Sequence, residues 1–264
     1  MTIKVASIQM AVIENDKAAT IAKAEARIRQ CRDADLVILP EIWNIGFMSF
    51  DRYREDAEDA DGPTLSAMIR AARENRVYLH TGSLVEKEDG RYYNSSYLIS
   101  PEGVLLANYR KIHLFGYNSR EPQLLTPGEK VVVVDTPLGR IGMATCFDLR
   151  FPELFRRMVD QGAEILLICS AWPYPRLEHW LMLNRVRALE NQCCLVSANS
   201  TGTNRGTRFV GHSMVIDPWG TITAEGGDRE TIVRSQLEMS EVASAREQFP
   251  ALAARVQWLN ASVS

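Results

Sequence analysis

Short apolar runs typical of β-strands alternate with amphipathic helical patterns, and this alternation restricts the fold more than any other feature of the chain. In the first half, the runs "KVASIQMAV", "DLVILPE" and "VYLHTGSLV" are separated by the helical patterns "DKAATIAKAEARIRQCRDA" and "GPTLSAMIRAARENR". Such a repeat is typical of βαβ units, in which helices connect parallel strands. The sequence therefore predicts an α/β fold.

An antiparallel hairpin is predicted within this pattern. In "YNSSYLISPEGVLLANYRK", two strand runs meet at a turn where Gly103 supplies the backbone freedom that a tight connection needs. The second half repeats the alternation from "VVVVDTPLGRIGMATC" to "TIVRSQL". In its helical pattern "FPELFRRMVDQG", four apolar side chains share one face, namely Leu154, Phe155, Met158 and Val159. We expect this helix to cover a sheet.

No linker rich in glycine and serine divides the chain of 264 residues. We therefore expect a single domain over residues 1–264, built from two mixed sheets with helices on the outside. The 30 basic residues against 33 acidic ones form no basic block, which argues against nucleic acid as a partner. No signal peptide and no membrane span are indicated, so we expect a cytoplasmic protein without a membrane partner.

The five cysteines, at positions 31, 146, 169, 193 and 194, form no C-x-x-C pair and have no histidine at metal-ligand spacing. Reduced thiols are therefore expected, and neither a metal nor a cofactor is predicted. Four of the cysteines are assigned to packing. Cys146 differs because it follows a strand pattern and precedes a helical one.

Three reactive residues, Glu41, Lys111 and Cys146, each follow a strand pattern. Strand ends meet at the crevice where open α/β sheets bind ligands, so we expect these side chains to converge. Each also has a plainer interpretation. Cys146 would be a buried small hydrophobe, Glu41 a solvated carboxylate, and Lys111 a surface cation.

The residues around Cys146 favour a nucleophile. A strand-to-helix turn would direct the backbone N–H groups of Phe147 and Asp148 toward an oxyanion, and the helix dipole would lower the pKa of the thiol. The apolar neighbours of Glu41 would raise its pKa toward the range of a general base. Lys111 would supply positive charge to an anionic intermediate.

Three segments, "LPE" at Glu41, "YRKIHLF" at Lys111 and "CFDLRFPEL" at Cys146, resemble the signature segments of the nitrilase superfamily of carbon–nitrogen hydrolases. They occur in the family's order, and the resemblance extends over "RALENQ" and "GHSMVIDPWG". It implies a Glu-Lys-Cys triad on a four-layer α-β-β-α sandwich. It also implies a homodimer or higher homo-oligomer formed through helices packed across the sandwich.

The resemblance also implies a role for each residue. Glu41 would act as general base, Cys146 would form a thioester, and Lys111 would stabilise the oxyanion together with the N–H of Phe147. A second glutamate of the family matches Glu121, which would position the substrate amide or the lysine.

The substrate class follows from the same resemblance. The sequence Cys146-Phe147-Asp148 is similar to the amidase-like branches, whereas true nitrilases have Cys-Trp-Glu, and the chain looks most like omega-amidases and deaminated-glutathione amidases. The implied activity is hydrolysis of a small carboxamide, such as the terminal amide of a small acid. Glu129 is expected to be solvated.

The chain departs from these branches at "SAWPYPRLEHW", where relatives tend to carry a loop rich in threonine and glycine. Trp172 is predicted to line the substrate pocket, with a core aromatic as the alternative. Arg176 and Arg150 could each meet a substrate carboxylate, although an arginine in the position of Arg150 more often pairs with an acidic neighbour. Neither is assigned as a substrate anchor.

Three alternatives remain open. His113, two residues beyond Lys111, would face the same way on a continuing strand, so a Cys-His enzyme is one of them. A nitrilase or N-carbamoyl amino acid hydrolase on the same scaffold is the second, and a non-catalytic binding protein is the third. The C-terminal "REQFPALAARVQWLNASVS" resembles the family's final helix and tail. No P-loop or Gly-x-Gly-x-x-Gly segment supports nucleotide chemistry.

Overall fold

Fourteen strands and six helices make up the part of the chain that the computed structural model describes, residues 1–256. The strands are β1 (Thr2–Gln9), β2 (Leu36–Ile38), β3 (Tyr78–Glu88), β4 (Arg91–Ile99), β5 (Leu105–Arg110), β6 (Val133–Thr136), β7 (Gly139–Thr145), β8 (Ile165–Ser170), β9 (Cys194–Asn199), β10 (Thr203–Asn204), β11 (Thr207–Arg208), β12 (Met214–Ile216), β13 (Ile222–Glu225) and β14 (Thr231–Glu238). The helices are α1 (Lys17–Arg29), α2 (Pro63–Asn75), α3 (Glu121–Leu124), α4 (Pro152–Asp160), α5 (Leu177–Asn191) and α6 (Ser240–Gln248).

Two six-stranded sheets form the frame. One has the order β14-β1-β2-β3-β4-β5 and the other β13-β12-β9-β8-β7-β6. In each sheet three central strands are parallel, β1-β2-β3 in the first and β7-β8-β9 in the second, and antiparallel strands flank them. The prediction of two mixed sheets is therefore confirmed.

Apolar side chains pack in three layers because the central strands are buried on both faces. Between the sheets, Ile38 of β2 packs in one cluster with Leu167 of β8 and Val196 of β9. The outer face of the first sheet packs against Ile28 of α1 and Met68 of α2. A third cluster joins the second sheet to α4 and α5. The fold is thus an α-β-β-α sandwich, as predicted.

Local predictions also agree with the structure. β4 and β5 form the expected hairpin, and Gly103 in its turn has φ +82°. Four side chains of α4 form the predicted buried face, namely Leu154, Phe155, Met158 and Val159. The final helix, α6, ends at Gln248, so it includes only the first three residues of the C-terminal segment "REQFPALAARVQWLNASVS", and residues 257–264 lie outside the described part of the chain.

Candidate active site

Cys146 lies at a sharp turn directly after β7, as the sequence predicts. Its φ is +48°, a left-handed conformation that is strained for a residue with a Cβ. The segment that follows is a 3₁₀ turn, Cys146–Arg150, and α4 begins only at Pro152. The start of α4 agrees with the predicted helical pattern "FPELFRRMVDQG", but the N–H groups of Phe147 and Asp148 belong to the 3₁₀ turn and not to this helix. Proline at the first helical position delays the helix to residue 152.

A buried carboxylate, that of Asp148, holds this turn in place. Its Oδ2 accepts hydrogen bonds from the backbone N–H of Thr145 (3.0 Å) and the hydroxyl of Tyr109 (2.6 Å). Its Oδ1 accepts one from the backbone N–H of His113 (3.0 Å) and lies 2.8 Å from the Nδ1 of the same residue. Asp148 therefore ties the cysteine turn of the second sheet to the segment after β5 of the first.

Glu41, Lys111 and Glu121 converge as expected and are fully buried. Lys111 Nζ lies 2.8 Å from Oε1 of Glu41, and 3.0 and 2.9 Å from the two carboxylate oxygens of Glu121. The amide of Asn94 donates to Oε1 of both glutamates at 2.9 Å. An ammonium and an amide thus bridge two carboxylates, which satisfies charges that would otherwise be costly to bury.

Backbone groups complete this cluster. The N–H of Ala171, just after β8, donates to Oε2 of Glu41 (2.9 Å), and the N–H of Phe115 donates to Oε2 of Glu121 (2.7 Å). The N–H of Glu41 in turn donates to the carbonyl of Ser170 (3.2 Å). Glu41 follows β2 of the first sheet, so these bonds join the carboxyl ends of both sheets.

Burial and charge set the protonation of the cluster. Burial raises the pKa of Glu121, although Lys111 opposes this effect. For Lys111, burial lowers the pKa, but Glu121, Glu41 and Cys146 together raise it well above its usual range. The ammonium therefore stays charged at neutral pH.

The pKa of the Cys146 thiol differs from the expectation. Burial raises its pKa well above the usual range, and Glu41 adds to this effect while Lys111 opposes it. The predicted lowering by a helix dipole is wrong, because the thiol is desolvated, a carboxylate faces it, and the helix begins six residues later. The resting thiol is protonated, so attack on a substrate requires a base.

A cavity of about 410 Å³ opens above the thiol. Its lining includes Cys146, Phe147 and Trp172, as well as Arg150 and Arg176. The prediction that Trp172 lines the pocket agrees with this arrangement. The same indole donates from Nε1 to the carbonyl of Arg176 (2.9 Å), so it also fixes the loop that leads into α5.

Arg150 does not pair with an acidic neighbour. Its Nη2 lies 3.1 Å from Nδ1 of His179, and its guanidinium lies over the ring of Trp172 at 4.8 Å from the centroid. The guanidinium of Arg176 lies over the ring of Phe115 at 5.6 Å. The expectation of an acidic partner for Arg150 is wrong, because within residues 1–256 aromatic rings and an imidazole surround it.

His113 contacts Asp148 and stacks on Phe151 at 3.7 Å between ring centroids. β5 ends at residue 110, so the continuing strand that would aim His113 and Lys111 in one direction is absent. The cysteines assigned to packing are all buried: Cys31, Cys169, Cys193 and Cys194. Glu129 is exposed, as expected.

Two buried residues of the site were not predicted. Asn94 lies on β4, where its carbonyl accepts from the N–H of Lys111 (2.9 Å). It is followed by Ser95 and Ser96, so nothing local distinguished it in the sequence. Asp148 was considered only for its backbone N–H. Among residues 1–256, no group of three or more His, Cys, Asp and Glu side chains is arranged to hold a metal ion. None of the helices described is both long and apolar enough to span a membrane.

Comparison with known proteins identifies the family. The sequence model of the carbon–nitrogen hydrolase family matches residues 4–247. The chain is 36% identical to the 2-oxoglutaramate amidase of Bacillus subtilis (strain 168), over 87% of this chain and 88% of that protein. It is 33% identical to Omega-amidase NIT2 of Homo sapiens, over 92% and 90%.

Solved structures agree. The crystal structure of Saccharomyces cerevisiae Nit3, a member of branch 10 of the nitrilase superfamily, superposes with a TM-score of 0.88 at 31% identity, covering 94% of each chain. The family model's match to residues 4–247 includes strands of both sheets and the segments that carry the buried cluster. The resemblance drawn from the three signature segments is therefore confirmed, and the chain belongs to the carbon–nitrogen hydrolase family, whose members cleave bonds such as that of an amide.

Proposed function

We propose that this protein is a cysteine-dependent amidase that hydrolyses a small carboxamide to a carboxylate and ammonia. The observation that carries the proposal is that Cys146 lines the cavity while its thiol is close enough to Glu41 and Lys111 of the buried cluster for both to act on its pKa. A nucleophile, a base and a fixed cation at one point are the groups that acyl transfer needs.

In the proposed first half-reaction, Glu41 takes the proton of the thiol as sulfur attacks the amide carbon. The carbonyl electron pair moves to oxygen, where the ammonium of Lys111 and the N–H of Phe147 stabilise the negative charge. The C–N bond then breaks as nitrogen receives the proton from Glu41, and ammonia leaves a thioester on Cys146.

In the second half-reaction, Glu41 accepts a proton from water as the water attacks the thioester. The C–S bond breaks, Glu41 returns its proton to the thiolate, and the carboxylic acid leaves and ionises to the carboxylate in water. Because burial and Glu41 hold the pKa of the thiol well above its usual range, Glu41 must remove the proton during attack rather than before it. Glu121 keeps Lys111 in position through both steps.

The substrate we propose is the terminal amide of a small acid. Two relatives are named for such amides, the 2-oxoglutaramate amidase of Bacillus subtilis and the human omega-amidase. A cavity of about 410 Å³ suits a compound of that size. Nitriles and N-carbamoyl amino acids remain the alternatives for the same buried groups.

The test measures ammonia release from omega-amides of dicarboxylic acids, simple amides, nitriles and N-carbamoyl amino acids. Wild type is compared with Cys146→Ala, and with Cys169→Ala as a matched control at a buried thiol outside the cavity. Ammonia from an amide that disappears only in Cys146→Ala supports the proposal. Ammonia from a nitrile or a carbamoyl compound alone would support the alternative activities. No product from any compound would favour a binding protein.

We further propose that the protein is a homodimer formed through the outer face of α5. Met182 and Leu189 of α5 and the nearby Trp219 are exposed by 63%, 51% and 44% of their surface. Together they border a shallow cavity of about 350 Å³. Apolar side chains grouped in this way are typical of an interface. Light scattering should give twice the chain mass, and Leu189→Glu should give the monomer; a monomeric wild type would refute the proposal.

A further inference from the structure

Two guanidinium groups line the cavity above Cys146, and the lining residues include no carboxylate. Arg150 comes from the turn that follows the nucleophile, and Arg176 comes from the loop before α5. Within residues 1–256, neither guanidinium forms an ion pair. The side-chain partner of Arg150 is the Nδ1 of His179, at 3.1 Å. The cavity therefore carries two positive charges that nothing in its wall neutralises.

Both guanidiniums are held in fixed places by aromatic rings. Arg150 lies over Trp172 at 4.8 Å, and Arg176 lies over Phe115 at 5.6 Å. The ring of Phe147 connects the two sides, since it meets Phe115 edge to face at 5.2 Å. Stacking on a ring holds the planar group and leaves its N–H donors in the ring plane available for an anion.

The two cations also act on each other. Burial lowers the pKa of Arg150, and the charge of Arg176 lowers it further. A bound anion between two like charges would remove this repulsion and form charge-assisted hydrogen bonds with both. Such an arrangement is costly in the empty cavity and becomes favourable when an anionic ligand enters.

We propose that Arg150 and Arg176 together bind a carboxylate of the substrate at the end remote from the amide that Cys146 attacks. The inference rests on the proposed amidase function and names the residues that recognise the acid. Arg176 belongs to the segment "SAWPYPRLEHW", where the sequence departs from the similar branches of the family. We call Arg150 and Arg176 together the clamp, and this loop supplies one of its two arginines.

The same charges exclude a second class of amide. An α-amino acid amide such as glutamine carries an ammonium group next to its carboxylate. The cavity lining offers that ammonium no carboxylate partner, and both guanidiniums repel it. The clamp therefore selects acids that lack an amino group, so glutaramate is preferred over glutamine although the two differ only by that group.

The experiment compares three amides of equal length. Glutaramate carries the carboxylate, pentanamide replaces it with a methyl group, and glutamine adds the ammonium. Arg176→Gln and Arg150→Gln should each lower kcat/KM for glutaramate by about 10- to 100-fold, mainly through KM, because a charge-assisted hydrogen bond is lost. The loss on pentanamide should be much smaller than the loss on glutaramate, because pentanamide offers the arginines no carboxylate, and Arg176→Lys should restore part of the activity on glutaramate. Arg140→Gln is the control, because that arginine pairs with the exposed Asp135.

Equal losses on glutaramate and pentanamide would overturn the clamp and indicate a structural role for the arginines. Equal wild-type activity on glutamine and glutaramate would refute the prediction that the cavity excludes amides that carry an ammonium group. Calorimetry of glutaramate binding to Cys146→Ala, with and without Arg176→Gln, separates this inference from the amidase proposal. If Arg176→Gln abolishes the binding of glutaramate, the clamp is supported even if no amide is hydrolysed. If Arg176→Gln leaves the binding unchanged, the clamp is refuted.

Discussion

Two parts of the site are built on different physical principles. One is the wall of the cavity, and the other is the buried cluster next to Cys146, which we call the floor although its side chains do not line the cavity. The floor, Glu41, Lys111, Glu121 and Asn94, is fully buried, and each of its charges has a hydrogen-bonding partner of the chain itself. The wall, Phe147, Trp172, Arg150 and Arg176, consists of rings and of cations that lack a carboxylate partner within residues 1–256.

This difference separates the proposed chemistry from the proposed specificity. Every charge of the floor is paired without a substrate, as a preorganised site for charge development requires. The wall is electrostatically incomplete and gains most from an anionic ligand. Substitutions in the floor should therefore act on kcat and on folding, whereas substitutions in the wall should act on KM.

The largest effect is expected from Lys111→Met, which removes the cation of the floor. Turnover should fall about 1,000-fold or more, because an oxyanion would lose its charged donor. The two glutamates would lose their buried partner, which costs about 3–5 kcal/mol of unfolding free energy. Steady-state ammonia release and urea unfolding measure the two effects, with the exposed Lys130→Met as control.

The same measurement on His113→Ala distinguishes the Glu-Lys-Cys proposal from a Cys-His enzyme. His113 hydrogen-bonds Asp148 and stacks on Phe151, so its loss should weaken the turn without removing the base. We expect an effect on kcat of about 10-fold or less, the value of one lost hydrogen bond. If His113→Ala abolishes turnover while Lys111→Met does not, the histidine is the base.

The next largest effect is expected from Asp148→Asn, because Asp148 ties the turn of the nucleophile to the end of β5 and the segment that follows it. The carboxylate accepts from the N–H of Thr145 and the hydroxyl of Tyr109 and holds His113. An amide cannot accept all of these bonds, so the strained turn should relax and kcat should fall about 10- to 100-fold with little change in KM. Asp135→Asn, at an exposed site, is the control, and a change in KM alone would contradict a positioning role.

The relative placement of the three reactive residues could be predicted from the sequence, because each residue lies at the end of a strand. Glu41, Lys111 and Cys146 each follow a short strand pattern, and parallel strands bring their carboxyl ends to one edge. The start of the helix at Pro152 was also readable, since proline favours the first helical position.

The electrostatics could not be predicted, because they depend on burial and on partners distant in sequence. Asn94 meets Glu41 and Glu121 across 53 and 27 positions, and nothing local marks that contact. The sign of the thiol pKa shift of Cys146 depends on desolvation by residues from both sheets. The absence of an acidic partner for Arg150 is likewise a property of packing.

A smaller effect is expected on the pH dependence of the free energy of unfolding, and it comes from a buried histidine. His80 is fully buried, its Nδ1 accepts from the N–H of Gly82 (3.2 Å), and its Nε2 has no partner within the described chain. Burial lowers its pKa from 6.5 to about 3. Below pH 6.5 the unfolded chain therefore binds one more proton than the folded protein, and stability falls as the pH falls.

Between pH 7 and pH 5 this histidine should remove about 2 kcal/mol of unfolding free energy, at 1.36 kcal/mol for each pKa unit. Urea unfolding at both pH values measures the loss in wild type, and it should be absent from His80→Gln. His179→Gln, at an exposed histidine, should keep the wild-type loss. An equal loss in wild type and His80→Gln would show that other groups control acid sensitivity.

The smallest effect is expected from Trp172→Phe. This variant tests whether substrate binding depends on how the two arginines are held in place as well as on their charge. The indole donates to the carbonyl of Arg176 and lies beneath the guanidinium of Arg150, so it holds both arms of the proposed clamp. Phenylalanine keeps a ring but loses the N–H, so KM for an anionic amide should rise about 3- to 10-fold while kcat is retained, as expected for one neutral hydrogen bond. Steady-state kinetics with glutaramate and pentanamide check this. A fall in kcat on both amides would mean that Trp172 supports the floor, and the division between floor and wall would then fail at this residue.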